Sequence, residues 1–279
     1  MTLAIAGSDS SGGAGIQADL KAFAALGVYG VSAITALTAQ NTTVILGILR
    51  VSPDFVGQQI DAVVGDFPID ATKTGMLESQ AIVELVAAKV SEHRLRPLVV
   101  DPVLAASSGG QLLTPDGLAA LRDHLIPLAT VVTPNLAEAA ILSGRSVHSV
   151  ADMREAARAI HALGAGAVVI TGGHLDGGSE AIDVLFDGSA FLELRAARID
   201  TPHTHGSGCT FAACLAAALA LGAPVEQAAA RAKEVTTAAI RWGLPLGKGA
   251  GPVDVLYEAI HPNPPQPPMR QRLGRRAPP

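Results

Sequence analysis

The sequence predicts an α/β sandwich built around a mostly parallel sheet. Short apolar runs of strand length alternate along the chain with longer stretches of helical period, which is the pattern of successive βαβ units. Residues 2–6 (TLAIA), 98–100 (LVV) and 167–171 (AVVIT) are runs of the first kind. No internal repeat or linker interrupts the pattern before residue 261, so residues 1–261 are expected to form one domain.

The elements are expected in a regular order. Strands are predicted at residues 2–6, 31–37, 45–51 (a candidate edge strand), 71–75, 98–100, 131–133 and 167–171, and a hairpin is predicted for 181–186 and 190–194 around Asp187-Gly188. Helices are predicted at about 14–26, 54–64, 80–90, 115–124, 136–142 and 150–163, followed by two long helices that end near Trp242. Thr114 before Pro115 is a typical helix start, because Thr caps the first turn and Pro suits the first helical position.

Composition narrows the classes of function. The chain has 279 residues, 49% of them hydrophobic, which is enough for a large core without disulfides. Its two cysteines, five positions apart, fit neither a disulfide framework nor a zinc site. No apolar run approaches the roughly 18 residues of a membrane span, and the N-terminus lacks a secretory pattern. The expectation is a cytoplasmic protein that makes no membrane contact.

Charge is unevenly distributed along the chain. The net charge is −5, yet residues 262–279 hold seven prolines, four arginines and no acid. Without those arginines the remaining chain carries 16 basic against 25 acidic residues, a net charge of −9. An acidic body argues against a nucleic-acid-binding face. Residues 262–279 are interpreted as a flexible Pro/Arg-rich tail.

Polar residues follow five of the predicted strands, where open α/β sheets bind their ligands. The segments are 7–19 (GSDSSGGAGIQAD), 72–76 (TKTGM), 101–104 (DPVL), 133–138 (TPNLAE) and 171–174 (TGGH). Residues 13–18 also fit a loose dinucleotide-binding pattern, but no acid follows at the required distance. Gly247-Lys248-Gly249 is not a phosphate-binding loop, since neither Ser nor Thr follows the lysine.

Cys209 ends a glycine-rich segment, HGSGC, that leads into an alanine-rich helix. The N–H groups of Gly206, Ser207 and Gly208 can point into one small volume and bind phosphate oxygens. The same field is expected to lower the pKa of the Cys209 thiol. The alternative is that Cys209 is a small apolar residue at a helix start, as expected of Cys214 within the helix.

The acids and amides suggest phosphoryl transfer to a hydroxyl group. Asp19 and Gln40 together offer donors and acceptors that suit a heteroaromatic ring with an amino group. Asp101 and Glu138 are carboxylates of the kind that hold Mg²⁺. A loose phosphoryl-transfer transition state depends on positioning and charge neutralisation, so a modest base such as Cys209 suffices.

Six motifs together resemble one enzyme family. They are AIAGSDSSGGAGIQADLK, ITALTAQNT, KTGML, DPV, TPNLAEA with GGH, and HGSGCT, in that order along the chain. This pattern, from residue 2 to about 255, resembles the bacterial hydroxymethylpyrimidine/phosphomethylpyrimidine kinases of thiamine biosynthesis. The resemblance implies a ribokinase-like three-layer α/β/α fold, ATP and Mg²⁺ dependence, and a homodimer. It also implies phosphorylation of 4-amino-5-hydroxymethyl-2-methylpyrimidine and then of its monophosphate.

The resemblance also implies roles for individual residues. Cys209 takes the place of the base, with Gly206 and Gly208 in the anion hole. The other implied positions are Gln40 and Asp19 at the pyrimidine, Gly7, Met76 and Val103 in the pocket wall, Asn135 and Glu138 at ATP-Mg²⁺, and Thr171 and Lys233 beside the nucleotide. Some relatives carry Lys at the positions of Ser107 and Thr171, so part of the positive charge near the phosphates is missing here.

Two other functions fit parts of this pattern. A pyridoxal or pyridoxine kinase of the same superfamily is the nearer one. One such group often has a second cysteine after Asp-Pro-Val, where this chain has Ala105 and Ala106, which favours the pyrimidine. The other is a non-catalytic pyrimidine- or nucleotide-binding sensor, against which Asp101, Glu138 and Cys209 argue, since a pure binder needs no base.

Overall fold

The computed structural model describes residues 1–105, 110–173, 175 and 178–261. Its centre is one nine-stranded sheet in the order β3-β2-β1-β4-β5-β6-β7-β8-β9. The strands are β1 (Thr2–Asp9), β2 (Gly30–Gln40), β3 (Ile45–Arg50), β4 (Ala71–Thr74), β5 (Leu98–Val100), β6 (Val131–Val132), β7 (Ala167–Ile170), β8 (Glu180–Phe186) and β9 (Phe191–Ala197). Strands β2, β1, β4, β5, β6 and β7 are parallel, whereas β3, β8 and β9 add antiparallel edges.

Helices connect the parallel strands and cover both faces of the sheet. They are α1 (Gly15–Ala25), α2 (Pro53–Val64), α3 (Gln80–Glu92), α4 (Pro115–Ala120), α5 (Leu136–Ser143), α6 (Val150–His161), α7 (Ser207–Ala220), α8 (Val225–Arg241) and the short α9 (Tyr257–Ile260). None of the helices in the described ranges is both long and apolar enough to cross a bilayer.

Two separate apolar cores lie on the two faces of the sheet. Because side chains alternate along a strand, Leu3 and Ile5 of β1 join the core under α2, α3 and α6, whereas Ala4 and Ala6 join the core under α1, α7 and α8. This arrangement has three layers, and it confirms the predicted α/β/α sandwich with a mostly parallel sheet.

The alanine-rich composition of α7 follows from its central position. Every residue from Thr210 to Leu219 is buried, because this helix packs on the sheet between α1 and α8. Small side chains allow the helices to approach closely on all sides. Cys214 has no exposed surface and belongs to this core, as the sequence predicted.

The order of the strands places a crevice beside β1. The chain passes from β1 to its neighbour β2 and β3, then returns to β4 on the other side of β1. The loops after β1 and β4 therefore leave in opposite directions, which opens a crevice at the carboxyl ends of the strands.

Strands β1 and β2 run three residues past their predicted ends, the short α9 was not predicted, and one predicted helix is irregular. The expected helix 115–124 ends as an α-helix at Ala120 and continues as a π-helical turn (Leu121–Leu125) and a 3₁₀ turn (Ile126–Leu128). Pro127 explains the change, because its ring lacks an N–H donor and clashes with the carbonyl of the preceding turn. The predicted hairpin around Asp187 is confirmed as β8 and β9. The predicted tail 262–279 and the departure at Ser107 lie outside the described residues.

Candidate active site

A cavity of about 310 Å³ opens at the carboxyl ends of the parallel strands. It brings together loops from β1, β2, β4, β5, β6 and β7 with the start of α7 and one face of α8. All the predicted site residues except Asp19 line this cavity, namely Gly7, Gln40, Met76, Asp101, Val103, Asn135, Glu138, Thr171, Gly206, Ser207, Gly208, Cys209 and Lys233.

The first turn of α7 presents free backbone donors to the cavity. Gly206 precedes the helix with φ of 80°, and a Cβ there would overlap the carbonyl oxygen of Gly13, so only glycine fits. Among the described residues, no hydrogen-bond acceptor is found for the backbone N–H groups of Gly208 and Cys209. These donors and the helix dipole make the turn a site for anionic oxygens.

The thiol of Cys209 differs from the prediction in its protonation. Cys209 is half-buried, and its sulfur lies near the backbone N–H of Gly15, which lowers the pKa of the thiol slightly. Burial raises the pKa of the thiol to about 12, and the carboxylates of Asp101 and Asp19 add to the effect, while the charge of Lys73 opposes it. The expected lowering of this pKa was therefore wrong, because desolvation and two nearby acids outweigh the helix end. At neutral pH the thiol is protonated.

Asp19 lies behind the cavity wall and contacts Lys73. Neither side chain has any exposed surface, and Nζ of Lys73 lies 2.9 and 3.1 Å from the two carboxylate oxygens of Asp19. The same ammonium lies 3.5 Å from Oδ2 of Asp101. Burial raises the pKa of Asp19 to about 6, and the three neighbouring acidic groups raise that of Lys73, so this pair is charged at pH 7. Asp19 therefore does not line the cavity itself, but it holds Lys73, which does.

Two acids of the cavity wall can hold a divalent cation. Glu138 caps α5 reciprocally with Asn135: its carboxylate accepts from the Asn135 N–H at 2.9 Å, and the Asn135 side chain accepts from the Glu138 N–H at 3.0 Å. Burial, followed by the charge of Asp101, raises the pKa of Glu138 to about 8. Oδ2 of Asp101 is buried and has no hydrogen-bond partner among the described residues. Two buried carboxyl groups whose charges interact offer oxygen ligands of the kind that a hard cation such as Mg²⁺ takes, and Oδ2 of Asp101 also faces the Lys73 ammonium at 3.5 Å.

Lys233 of α8 is fixed at the opposite wall by an acid that the sequence did not suggest. Its Nζ lies 2.9 Å from Oδ2 of Asp183, and Oδ1 of Asp183 accepts from the Gly172 N–H at 2.9 Å. Asp183 is buried in β8, next to β7 and its Gly-Gly loop. Thr171 pairs with Asn135 across the two neighbouring loops. These contacts connect the loops after β6 and β7 to α8.

The other end of the cavity is suited to a flat polar ring. The carboxamide oxygen of Gln40 accepts from the Thr38 hydroxyl at 3.2 Å, and no acceptor for its N–H₂ group is found in the described ranges. Met76 packs against Gly7, where a Cβ would come within 2.9 Å of the Met76 sulfur. Gly7 and Met76 thus form a narrow part of the cavity, and the carboxamide of Gln40 lies at its edge.

Four residues that line the cavity were missed as site residues from the sequence: Lys73, Asp183, His205 and Asp9. Lys73 was visible within TKTGM, since an unaccompanied lysine in a buried strand requires an acid nearby. Asp183 carries no local signal, because it stands in an ordinary strand pattern. His205 is the first residue of the HGSGC segment that ends at Cys209. Its ring lies against Asp9, with Nε2 and Oδ2 2.9 Å apart.

Comparisons with known proteins identify the family of this chain. Residues 9–254 match the family model described as phosphomethylpyrimidine kinase. The chain is 50% identical to the hydroxymethylpyrimidine/phosphomethylpyrimidine kinase of Rhizobium meliloti, over 91% of this chain and 96% of that protein. It is 51% identical over 92% of its length to the thiamine biosynthesis bifunctional protein of Geobacter sulfurreducens, of which it spans about half, 52%.

A solved structure has the same fold. An ADP complex of Bacillus subtilis pyridoxal kinase superposes with a TM-score of 0.87 at 45% sequence identity, covering 94% of this chain and 98% of that one. These relatives are thus kinases of two kinds, named for a pyrimidine in one case and for pyridoxal in the other.

Proposed function

Because this chain belongs to the phosphomethylpyrimidine kinase family, we propose that it phosphorylates 4-amino-5-hydroxymethyl-2-methylpyrimidine and then its monophosphate, in thiamine biosynthesis. Membership of a kinase family argues against the non-catalytic sensor. The observation that carries the proposal is the joint position of Cys209 and the free amides of α7 in one cavity with Gln40.

The first turn of α7 is proposed to hold the phosphoryl group as it transfers. Its free N–H groups neutralise charge on the equatorial oxygens, which is the main requirement of a loose transition state. Cys209 follows directly and is proposed to receive the proton of the acceptor hydroxyl. That role requires the thiolate. Because the thiol is protonated at neutral pH, it must first release its own proton to solvent, and the buried ammonium of Lys73 is the fixed charge that favours the thiolate left behind.

ATP is proposed to lie between Asn135, Thr171 and Lys233, with its phosphates toward α7. The ADP complex of the Bacillus subtilis relative supports a nucleotide in this fold. Asp101 and Glu138 would hold Mg²⁺, which neutralises phosphate charge when bound. The observation behind this assignment is that Oδ2 of Asp101 is buried without a hydrogen-bond partner among the described residues, 3.5 Å from the Lys73 ammonium.

The ring of the acceptor is proposed to lie between Gly7, Met76 and Val103. Gln40 would contact the amino-pyrimidine edge with its unpaired N–H₂ donors and its oxygen. Asp19 is proposed to support this site indirectly, by holding Lys73, instead of contacting the ring.

The active form is proposed to be a homodimer. Its proposed location is the cytoplasm, where ATP is available. Strand β3 forms the outer edge of the sheet, and Leu46 and Leu49 on it are 76% and 67% exposed. Leu37, Val44 and Ile48 of the same hairpin are also exposed. An apolar edge of this kind is normally covered in a stable protein.

Pyridoxal phosphorylation is the second candidate, since the superposed relative is a pyridoxal kinase. ADP release should be compared for the hydroxymethylpyrimidine, its monophosphate and pyridoxal under identical conditions. We expect kcat/KM to favour the two pyrimidines by at least about 10-fold, the range that one mismatched contact provides. A preference for pyridoxal would contradict the proposal.

A variant of the ring site tests the orientation of the acceptor. Gln40→Ala should raise KM for the pyrimidine by about 10-fold or more and leave KM for ATP nearly unchanged, because only the ring loses a contact. Equal effects on the two KM values would place Gln40 outside the acceptor site.

A further inference from the structure

Two loops from distant parts of the chain meet beside Cys209. One is the first loop, residues 9–15 after β1, and the other is the turn 203–208 before α7. The glycines at their contact leave no space for a side chain. A Cβ on Gly206 would overlap the carbonyl oxygen of Gly13, and a Cβ on Gly13 would overlap the ring of His205. Their relative position is therefore tightly defined.

One buried side-chain pair joins these loops. Nε2 of His205 lies 2.9 Å from Oδ2 of Asp9, and both residues are less than a tenth exposed. The carboxylate of Asp9 also accepts from the N–H and hydroxyl of Ser11, both at 2.8 Å, and from the N–H of Ala14 at 2.9 Å. Although burial alone would raise it, these hydrogen bonds hold the pKa of Asp9 below its ordinary value. Asp9 thus shapes the first loop and binds it to His205.

The backbone of His205 is fixed as well. Its N–H donates to Gly251 at 3.1 Å, and its carbonyl accepts from Val253 at 3.1 Å. Because the backbone of His205 is held in this way, its imidazole ring stays in a fixed position beside Asp9.

The contact lies next to the proposed reacting centre on both sides. Gly206, which opens the amide turn, follows His205 directly, and the first loop ends at Gly15, whose backbone N–H lies near the sulfur of Cys209. A shift of either loop would move the sulfur relative to the amides. An error of about 1 Å in such an arrangement can lower a rate by about 100-fold.

We propose that Asp9 and His205 are positioning residues that fix the first loop against the turn before α7, so that Cys209 and the amides of residues 206–209 keep their relative geometry. This inference rests on the proposed kinase activity. Its signature is a loss of kcat without a loss of acceptor binding, since the ring end of the cavity lies apart from the pair.

The test compares substitutions of His205 with a matched histidine. His205→Leu removes the contact, whereas His205→Gln retains an N–H donor near the position of Nε2. His93, bonded to Asp61 at 2.7 Å far from the cavity, supplies the control His93→Leu. We expect kcat to fall by at least about 10-fold in His205→Leu, with KM for the pyrimidine within about 2-fold, and to recover to within about 3-fold of wild type in His205→Gln. His93→Leu should retain the wild-type kcat.

Hydrogen exchange supplies a readout that does not depend on substrate. Amides of residues 9–15 and 204–210 should exchange at least about 10-fold faster in His205→Leu, with the other core strands unchanged. If the wild type fails to phosphorylate the pyrimidine, the proposed function fails, but this exchange result still tests the pair. An unchanged kcat, or faster exchange throughout the protein with full activity of the folded fraction, would overturn the positioning role.

Asp9→Asn covers the case in which His205→Leu does not fold. It should lower kcat similarly, because one of the two oxygens that accept from Ser11, Ala14 and His205 becomes an N–H₂ group, which cannot accept. The double variant Asp9→Asn/His205→Gln should be no slower than Asp9→Asn alone, since the donor that glutamine retains has already lost its carboxylate partner. Multiplying losses of kcat would show that the two residues act separately and would contradict the proposal.

Discussion

Lys73 has no exposed surface, and the acidic groups around its ammonium come from three parts of the chain: Asp19, Asp101 and Cys209. Asp19 on α1 takes two of its hydrogen bonds, and Asp101 after β5 lies 3.5 Å away. A lysine buried in this way is tolerated only because its partners are buried with it. Lys73 therefore holds an ammonium group in a fixed position beneath the proposed site of phosphoryl transfer.

Removing that charge should destabilise the fold. Lys73→Met is expected to lower the free energy of unfolding by about 3–5 kcal/mol, because Asp19 is left buried and unpaired. Urea denaturation measures this loss, and Lys73→Met/Asp19→Leu should recover part of it. Lys89→Met, which removes a partly exposed lysine from Asp61 and Glu92, is the control and should have a much smaller effect. Equal losses in the two variants would contradict a buried charge pair.

The sequence predicted which residues line the site better than it predicted their protonation states. Cys209 was expected beside phosphate-binding amides, and the structure brings it to that cavity. The pKa was predicted in the wrong direction, because it depends on burial and on Asp19 and Asp101, which arrive from other elements. The local motif contains only the helix end, so it could not reveal these opposing influences.

The first turn of α7 combines two glycines with different requirements. Gly206 needs its left-handed conformation and has no space for a Cβ, whereas a Cβ on Gly208 would meet no atom within 4 Å. Gly208 is helical and lines the cavity. The open space in front of it is thus the space proposed for the phosphoryl group.

Gly208→Ala should separate stability from activity. Alanine favours the helix by up to about 1 kcal/mol, so the free energy of unfolding should stay constant or rise. The methyl group would enter the space of the phosphoryl group, so kcat/KM should fall by at least about 10-fold, the scale of one lost oxyanion contact or more. Chemical denaturation and steady-state kinetics on one preparation measure both. Gly206→Ala should lose stability as well as activity, and a fully active Gly208→Ala would contradict the amide site.

The elements with a clear period were predictable, and the irregular ones were not. Parallel strands such as β1 and β7 are short apolar runs bounded by glycine or acids, so their positions follow from the sequence. The π-helical turn at Leu121–Leu125 has no periodic signal of its own. It depends on how the chain before Pro127 accommodates the lost backbone donor.

At the scale of the whole molecule, the sheet brings five polar loops to one edge. This convergence could be predicted, because the carboxyl ends of parallel strands share an edge. The pairing of α8 with β8 through Lys233 and Asp183 could not be predicted, since it depends on where the antiparallel edge strands pack. Position along the chain carries no information about that contact.

The exposed edge strand leads to a prediction about assembly. Leu46→Lys/Leu49→Lys should convert the proposed dimer to a monomer, because two charges would enter an apolar interface. Light scattering on purified protein measures the mass directly. Leu221→Lys replaces a leucine that is 65% exposed at the end of α7 and serves as the control, which should keep the mass of the wild type. A wild type of single-chain mass would contradict the dimer.

The central claim is that the sulfur of Cys209 faces the acceptor alcohol beside amides that hold the phosphoryl group. Kinetics of Cys209→Ala with the hydroxymethylpyrimidine and ATP test it most directly. We predict that kcat falls by at least about 100-fold, the contribution of a general base, while the Kd for ATP stays within about 2-fold of wild type. A variant with the kcat of the wild type would contradict the claim.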